Sequence, residues 1–246
     1  MTATSEMNAP TGPQPRPKGR RRISVFGVLG EILITIGVVI LLFVAWQLWW
    51  TDIIAKQAYN EQRTELQQEW GLADDFTGAP KPVDPKYGEA FGLIYIPALG
   101  DKAWGIPVVE GTEREPLMKG MGHHPGTAVP GEVGNFTVAG HRTTYGAPLH
   151  NIETLKPGDE VIIETKHGWY VYELDSDEII EAWEGWVLDP VPGLPADEKP
   201  QEALLTLYSC HPKFSAAQRY VWFGELIDEY PKSAGTPPAI EAREAA

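Results

Sequence analysis

The sequence predicts an all-β domain, a closed barrel or a sandwich with short helices, preceded by a single N-terminal transmembrane helix. Two observations carry this expectation. One is a long uncharged run near the N-terminus. The other is a succession of short β-rich runs separated by Gly, Pro and Asp, with no long amphipathic helix among them. The chain has 246 residues, of which 43% are hydrophobic and 22% charged, enough for one packed core plus appendages and too apolar for disorder throughout.

Residues 1–24 hold five basic residues, Arg16, Lys18, Arg20, Arg21 and Arg22, against Glu6 alone, a net of +4. This basic end, rich in Pro, Thr and Gly, is expected to be a disordered cytoplasmic tail. The whole chain carries −14, so the remaining residues carry −18. That acidity argues against nucleic acid as a partner, because phosphate binding needs clustered Lys and Arg.

Residues 25–50 are expected to form a transmembrane signal anchor. Glu31 is the only charge there, and Ile32–Trp50 is an uncharged run of 19 residues. About 20 apolar residues span a bilayer as a helix. Trp46, Trp49 and Trp50 gather at the far end, where amphipathic rings suit the membrane–water interface. The run is longer than the ~7–15 apolar residues of a cleavable signal peptide, and no small-x-small cleavage site follows it. The positive-inside rule keeps the basic end in the cytoplasm, which predicts a single-pass protein of the cell membrane with its folded domain outside.

Residues 51–86 read as a helical stalk and a Pro-rich linker. The stalk helix has a sparse apolar stripe at Tyr59, Leu66 and Trp70, and Pro80, Pro82 and Pro85 stiffen the linker. Residues 87–230 are the expected folded domain. Its candidate strands are Phe91–Pro97, Ala103–Val109, Asn135–Ala139, Glu160–Thr165, Trp169–Ile180, Ala203–Ser209 and Arg219–Ile227. His167-Gly168 between two of these runs predicts a hairpin turn. Gly120–Gly126 reads as a Gly-rich loop. Residues 231–246, rich in Ser, Ala, Pro and Glu, are expected to be a disordered tail.

Cys210 is the only cysteine, which excludes an intrachain disulfide framework and a cysteine-rich metal site. It ends an apolar strand, and Pro212 stops that strand, so the thiol is expected at a strand terminus beside a loop mouth. A lone cysteine can be a small buried hydrophobe. On the outer side of a membrane an unpaired thiol more readily makes sense as a nucleophile, activated by a positive neighbour. Six histidines could supply one. His211 is adjacent, but successive strand residues point to opposite faces, so it packs or faces solvent. His123-His124 lacks further ligands for a metal and reads as loop structure; His150 and His167 read as surface residues. His141 follows the strand Phe136–Gly140, again at a strand end, although the residues alone do not bring it beside Cys210. Arg219 opens the strand after the loop that follows Cys210. If the two strands pair antiparallel, its guanidinium can face the thiol and donate to an oxyanion; taken alone, it equally suits a surface charge.

Thr206-Leu207-Tyr208-Ser209-Cys210 resembles the TLxTC motif of sortases, with Ser209 in place of the second Thr. Val138-Ala139-Gly140-His141-Arg142 is similar to the sortase histidine segment, and Gln218-Arg219-Tyr220-Val221 to the segment bearing the sortase arginine. The order His, Cys, Arg agrees, over roughly residues 91–228, and Cys210-His211-Pro212 is most similar to class E sortases of actinobacteria. Class C-like enzymes often add a C-terminal membrane helix, and no apolar span follows Pro231.

The resemblance implies an all-β, closed eight-stranded sortase-type barrel and a membrane-anchored cysteine transpeptidase without metal or cofactor. Cys210, His141 and Arg219 are the implied catalytic residues. Cys210 would attack the Thr carbonyl of an LPxTG- or LAxTG-like sorting signal, His141 would move the proton, and Arg219 would hold substrate and oxyanion. The implied partners are surface proteins bearing the signal and the amine of a lipid II-like cell-wall precursor. Another extracellular cysteine peptidase or acyltransferase, or a non-catalytic tethered binding module, are the competing readings; an L,D-transpeptidase would need a histidine upstream of the cysteine in the same motif.

Overall fold

The computed structural model describes residues 24–71 and 80–245. The basic cluster Arg16–Arg22 and the start of the Pro-rich linker lie outside the described residues. The chain divides into two compact units, one ending at Ala45 and the other spanning Trp46–Ala246.

Helix α1 runs Val25–Gly71. From Val25 to Val44 its large apolar side chains are exposed on all sides, and the helix is long and apolar enough to cross a membrane. From Trp46 onward α1 belongs to the second unit, where Ala55, Tyr59 and Leu66 are buried. Tyr59 and Leu66 are two turns apart and share one face, the face the sparse stripe marked.

The strands are β1 Ala90–Tyr95, β2 Trp104–Glu110, β3 Met121–His123, β4 Gly134–Gly140, β5 Glu160–Thr165, β6 Gly168–Glu181, β7 Ala203–His211 and β8 Gln218–Pro231. A one-and-a-half-turn helix, α2 Arg114–Lys119, precedes β3, and α3 spans Pro238–Glu244. The eight strands close into a barrel in the order β1-β2-β3-β4-β7-β8-β6-β5. All joints are antiparallel except β2–β3 and β4–β7. The β5–β6 hairpin turns at Lys166-His167, as the Gly168 signal predicts.

Period-two alternation decides which residues meet inside. Phe136 and Val138 of β4, Leu205 and Leu207 of β7 and Trp222 of β8 share the barrel core with Ile94, Ile106, Val108, Ile163 and Tyr172. Their neighbours Asn135 and Thr137, Thr206 and Tyr208, and Val221 and Phe223 therefore face outward. The β6–β7 connection lies on this outer surface. Val187 clusters with Ile180 and Val221, with Trp186, Tyr208 and Phe223 packed against them, and the Asn135 amide donates to the carbonyls of Val187 (2.9 Å) and Asp189 (3.0 Å).

Three expectations need correction. Residues 121–123 are strand rather than loop: β3 pairs with β2 and β4, and buried His123 bonds Glu110 on β2 (2.5 Å) and the Ala128 carbonyl (3.0 Å). The segment after Pro231 is not a disordered tail. α3 buries Ile240 against Leu66, Tyr95 and Trp169, and Arg243 lies over the Trp104 ring, 4.1 Å from its centre, while pairing with Asp101. The folded unit consequently extends beyond 87–230: the stalk half of α1 and the C-terminal helix pack into the same body as the barrel.

Candidate active site

Cys210 and Arg219 lie on β7 and β8, and His141 directly follows β4; the three strands are adjacent in the barrel. In the β7–β8 ladder Cys210 sits directly opposite Arg219. Opposed residues of an antiparallel pair project on the same face, so the guanidinium and the thiol share the outer surface. In the parallel β4–β7 ladder the last pair is Gly140 with Ser209. His141 and Cys210 are the residues that follow the two members of that last pair. The alternation that turns Val138 and Leu207 inward turns His141 and Cys210 outward. Ser209, between Tyr208 and Cys210, points inward; it is 2% exposed and donates to the Gly140 carbonyl at 2.7 Å.

Cys210 is half-buried, at the rim where β7 leaves the barrel. Arg219 donates to the carbonyls of Ala216 and Gln218, both at 2.9 Å, which folds its head over the turn entering β8 and leaves other N–H groups for a ligand. Tyr208, on the same outer face, is half-buried; desolvation pushes its phenol up, with Arg219 pulling the other way and Cys210 adding to the rise.

His141 packs its ring on Tyr145, centre to centre 5.1 Å, and its Nε2 is buried without a hydrogen-bond partner among the described residues. Burial disfavours the imidazolium and holds the His141 pKa below the usual histidine value. The unfolded chain binds the proton more readily, so this contribution to stability is present above the ordinary histidine value, about 6.5, and falls away as pH drops through it towards the lower folded value. The thermal midpoint of the full chain should therefore fall between about pH 7 and about pH 5, less steeply in His141→Gln. Equal slopes for the two proteins would contradict this reading of the histidine's surroundings.

Behind the outer face lies Arg142, which the sequence offered only as the neighbour of His141. Its side chain is 4% exposed. Nη1 donates to the Cys210 carbonyl (3.1 Å) and to His211 Nδ1 (2.9 Å), and Nη2 pairs with Glu153 (2.9 Å). Accepting that bond puts the proton of neutral His211 on Nε2. Lys213 completes the group by pairing with Glu153 at 2.8 Å. Burial works against the Glu153 carboxylate, but Lys213, a backbone N–H and Arg142 outweigh it and hold its pKa below the usual carboxylate range. His211 thus packs inside this network, and His150 bonds the Arg142 carbonyl (2.9 Å). The signal for Arg142 was an arginine at the end of an otherwise apolar strand, which must find an acid if it is buried.

Two hollows flank the outer surface along the β6–β7 connection. One, of about 370 Å³, lies among Trp186, Pro192, Gly193, Leu204 and Phe223. The other, of about 340 Å³, lies among Thr127, Ala128, Asn135, Leu188 and Pro190.

Residues 94–227 match the Sortase domain family. The chain is 34% identical to sortase SrtE1 of Streptomyces coelicolor over 94% of its own length and 68% of that protein. Among solved structures it is similar to sortase E of Streptomyces avermitilis, with 39% identity, a TM-score of 0.56, and 63% of this chain and 99% of that one covered. It is also similar to sortase E1 of S. coelicolor with a tripeptide in the active site, with 32% identity, a TM-score of 0.57, and coverage of 64% and 99%.

Proposed function

The chain belongs to the sortase family of cysteine transpeptidases, and on that premise we propose that Cys210, His141 and Arg219 cleave a sorting signal and pass the protein to a cell-wall amine. The observation that carries the assignment is the register: Cys210 opposite Arg219, and His141 one step beyond the Gly140–Ser209 pair.

The steps follow from where each group stands. The Cys210 thiolate attacks the carbonyl carbon of the scissile Thr–Gly bond of an LPxTG- or LAxTG-like signal, and the carbonyl oxygen becomes an oxyanion. Arg219, across the ladder, donates N–H groups to that oxygen. Collapse breaks the C–N bond, His141 as imidazolium gives its proton to the departing glycine amine, and a thioester remains on Cys210. The acceptor amine then gives a proton to neutral His141 and attacks the thioester; an amide forms and the thiolate is regenerated. Burial of His141 favours its neutral form, the form the second half-reaction requires. The tripeptide in the active site of the similar S. coelicolor sortase E1 supports a peptide as the occupant. A lipid II-like precursor supplies the amine, and α1 holds the enzyme in the membrane with the barrel outside; the apolar stretch Val25–Val44 and the basic residues before it support that topology.

The test is to incubate the full chain in detergent with LPxTG and LAxTG peptides and an amine, and to follow intact mass and products. A thioester on Cys210 and an amine-dependent ligation product are expected. Hydrolysis indifferent to amine would favour a peptidase, and no adduct with either peptide would overturn the proposal. In the same assay Arg219→Ala should lower kcat/KM by about 10²–10³-fold, the usual loss on removing an oxyanion donor, while the protein stays folded. A loss below about threefold would remove Arg219 from the mechanism.

A further inference from the structure

The segment between His141 and His150 has an unusual backbone. Tyr145, Gly146 and Ala147 are consecutive and all left-handed, with φ of 49°, 76° and 46°. Glycine tolerates this; tyrosine and alanine do not favour it, so something must hold them there. Within the segment, Leu149 N–H donates to the His141 carbonyl (3.2 Å) and Ala147 N–H to Thr144 (3.0 Å). Those bonds close the loop but leave the Tyr145–Gly146 peptide unit to be satisfied from outside.

Helix α1 satisfies both ends of that peptide. Tyr59 Oη donates to the Tyr145 carbonyl at 2.7 Å, and Asp52 Oδ1 accepts from Gly146 N–H at 2.9 Å. Asp52 and Tyr59 are seven residues apart, two helical turns, so one face of α1 presents both. A Cβ on Gly146 would come within 3.1 Å of the Tyr59 ring, which shows how closely the helix approaches. Tyr59 is buried; its burial, with the Asp52 charge adding, keeps the phenol protonated and therefore a donor. A peptide plane gripped at both its C=O and its N–H cannot flip, and flipping is the motion by which a left-handed run relaxes.

We propose that Asp52 and Tyr59 are positioning residues for His141, with α1 acting as a strut that clamps the Tyr145–Gly146 peptide and so fixes the ring on which the histidine rests. The Tyr145 ring lies 5.1 Å from the His141 ring, and among the described residues no hydrogen bond holds His141 Nε2. Packing against Tyr145 takes the place of the third group that orients the base in other nucleophile–base pairs. The inference rests on the proposed role of His141 in proton transfer. The titratable and charged groups that meet this loop are Asp52 and Tyr59 from α1, Tyr145, Arg142 and His150 within the loop, and His211 of β7 and Glu153, both bonded to Arg142.

The experiment uses the full chain in detergent, comparing wild type with Asp52→Ala/Tyr59→Phe and with Asp52→Asn, which keeps an acceptor oxygen. Ligation kinetics with the sorting peptide and an amine are read beside NMR titration of the His141 ring. Loosening the clamp should lower kcat of the double variant by about tenfold while leaving KM within about twofold, because misplacement of a catalytic group acts on the chemical step. Its His141 titration midpoint should move up, towards that of an exposed histidine, and Asp52→Asn should behave as wild type. Wild-type kcat and titration in the double variant would overturn the proposal. So would a loss of activity fully accounted for by unfolded protein, with an unaltered His141 titration. His141→Ala separates the two ideas: if it retains full activity, the proton-transfer role fails, while the NMR titration of the double variant still decides whether α1 sets the histidine's surroundings.

Discussion

Cys210→Ala should leave no acyl adduct and lower ligation by at least about 10⁴-fold, since removing the attacking atom of a covalent mechanism leaves only binding and oxyanion contacts. The chain has no second thiol to take over. The nearest hydroxyl on the strand, Ser209, cannot substitute, because it faces the barrel interior and gives its proton to the Gly140 carbonyl at 2.7 Å. The substitution should scarcely disturb folding. Cys210 is half-buried at the rim of β7, outside the core that Leu205 and Leu207 fill, so the thermal midpoint should stay within about 2 °C of wild type, a change worth less than about 1 kcal/mol. Mass spectrometry of the intact protein after exposure to peptide, together with product formation, decides the matter. Ligation by Cys210→Ala within tenfold of wild type would place the nucleophile elsewhere and end the assignment.

Much of this was legible in the sequence because the barrel strands carry period-two patterns bounded by turn residues. β5 and the β5–β6 hairpin follow from composition alone, and β7 was recognised up to Ser209. The pairing of Cys210 with Arg219 was readable as a condition, since the two strands are consecutive and antiparallel neighbours are the common outcome. The side-by-side placing of the ends of β4 and β7 was not. It depends on a parallel joint between β4 and β7, strands separated in the chain by the β5–β6 hairpin, and no local pattern encodes such a pairing. β3 escaped because three residues, one of them Gly122, show no alternation. α3 escaped because its composition is that of a solvated tail and only one of its large apolar residues, Ile240, is buried. The stripe in the stalk half of α1 includes Tyr59 but gives no sign of Asp52, a polar residue whose partner is a backbone N–H 94 positions away.

Arg142→Ala should be the most destabilising single change at the site. The guanidinium is 4% exposed, and it joins the end of β4 to the Cys210 carbonyl, His211 and Glu153, with the Tyr220 ring 5.7 Å from its centre. The backbone ladder between β4 and β7 has already ended at Gly140 and Ser209, so Arg142 bridges the strand ends where the ladder no longer does. Truncating it leaves a buried carbonyl and His211 Nδ1 without their donor and opens a cavity. Breaking a buried charge network of this kind costs about 3–5 kcal/mol. For a folded body of this size that corresponds to a fall of roughly 6–20 °C in thermal midpoint. Arg142→Lys should lie between the two proteins, because one ammonium cannot reach Cys210, His211 and Glu153 with the fixed geometry of a guanidinium. Glu153→Gln should cost no more than about 1 kcal/mol, since that carboxylate is 35% exposed and water can replace part of its pairing. Ligation by Arg142→Lys should fall further than its folded fraction does, because the Cys210 carbonyl and His211 lose their common anchor. A thermal midpoint for Arg142→Ala within about 2 °C of wild type would mean that the strand ends are held by packing alone and that the buried cation contributes nothing to them.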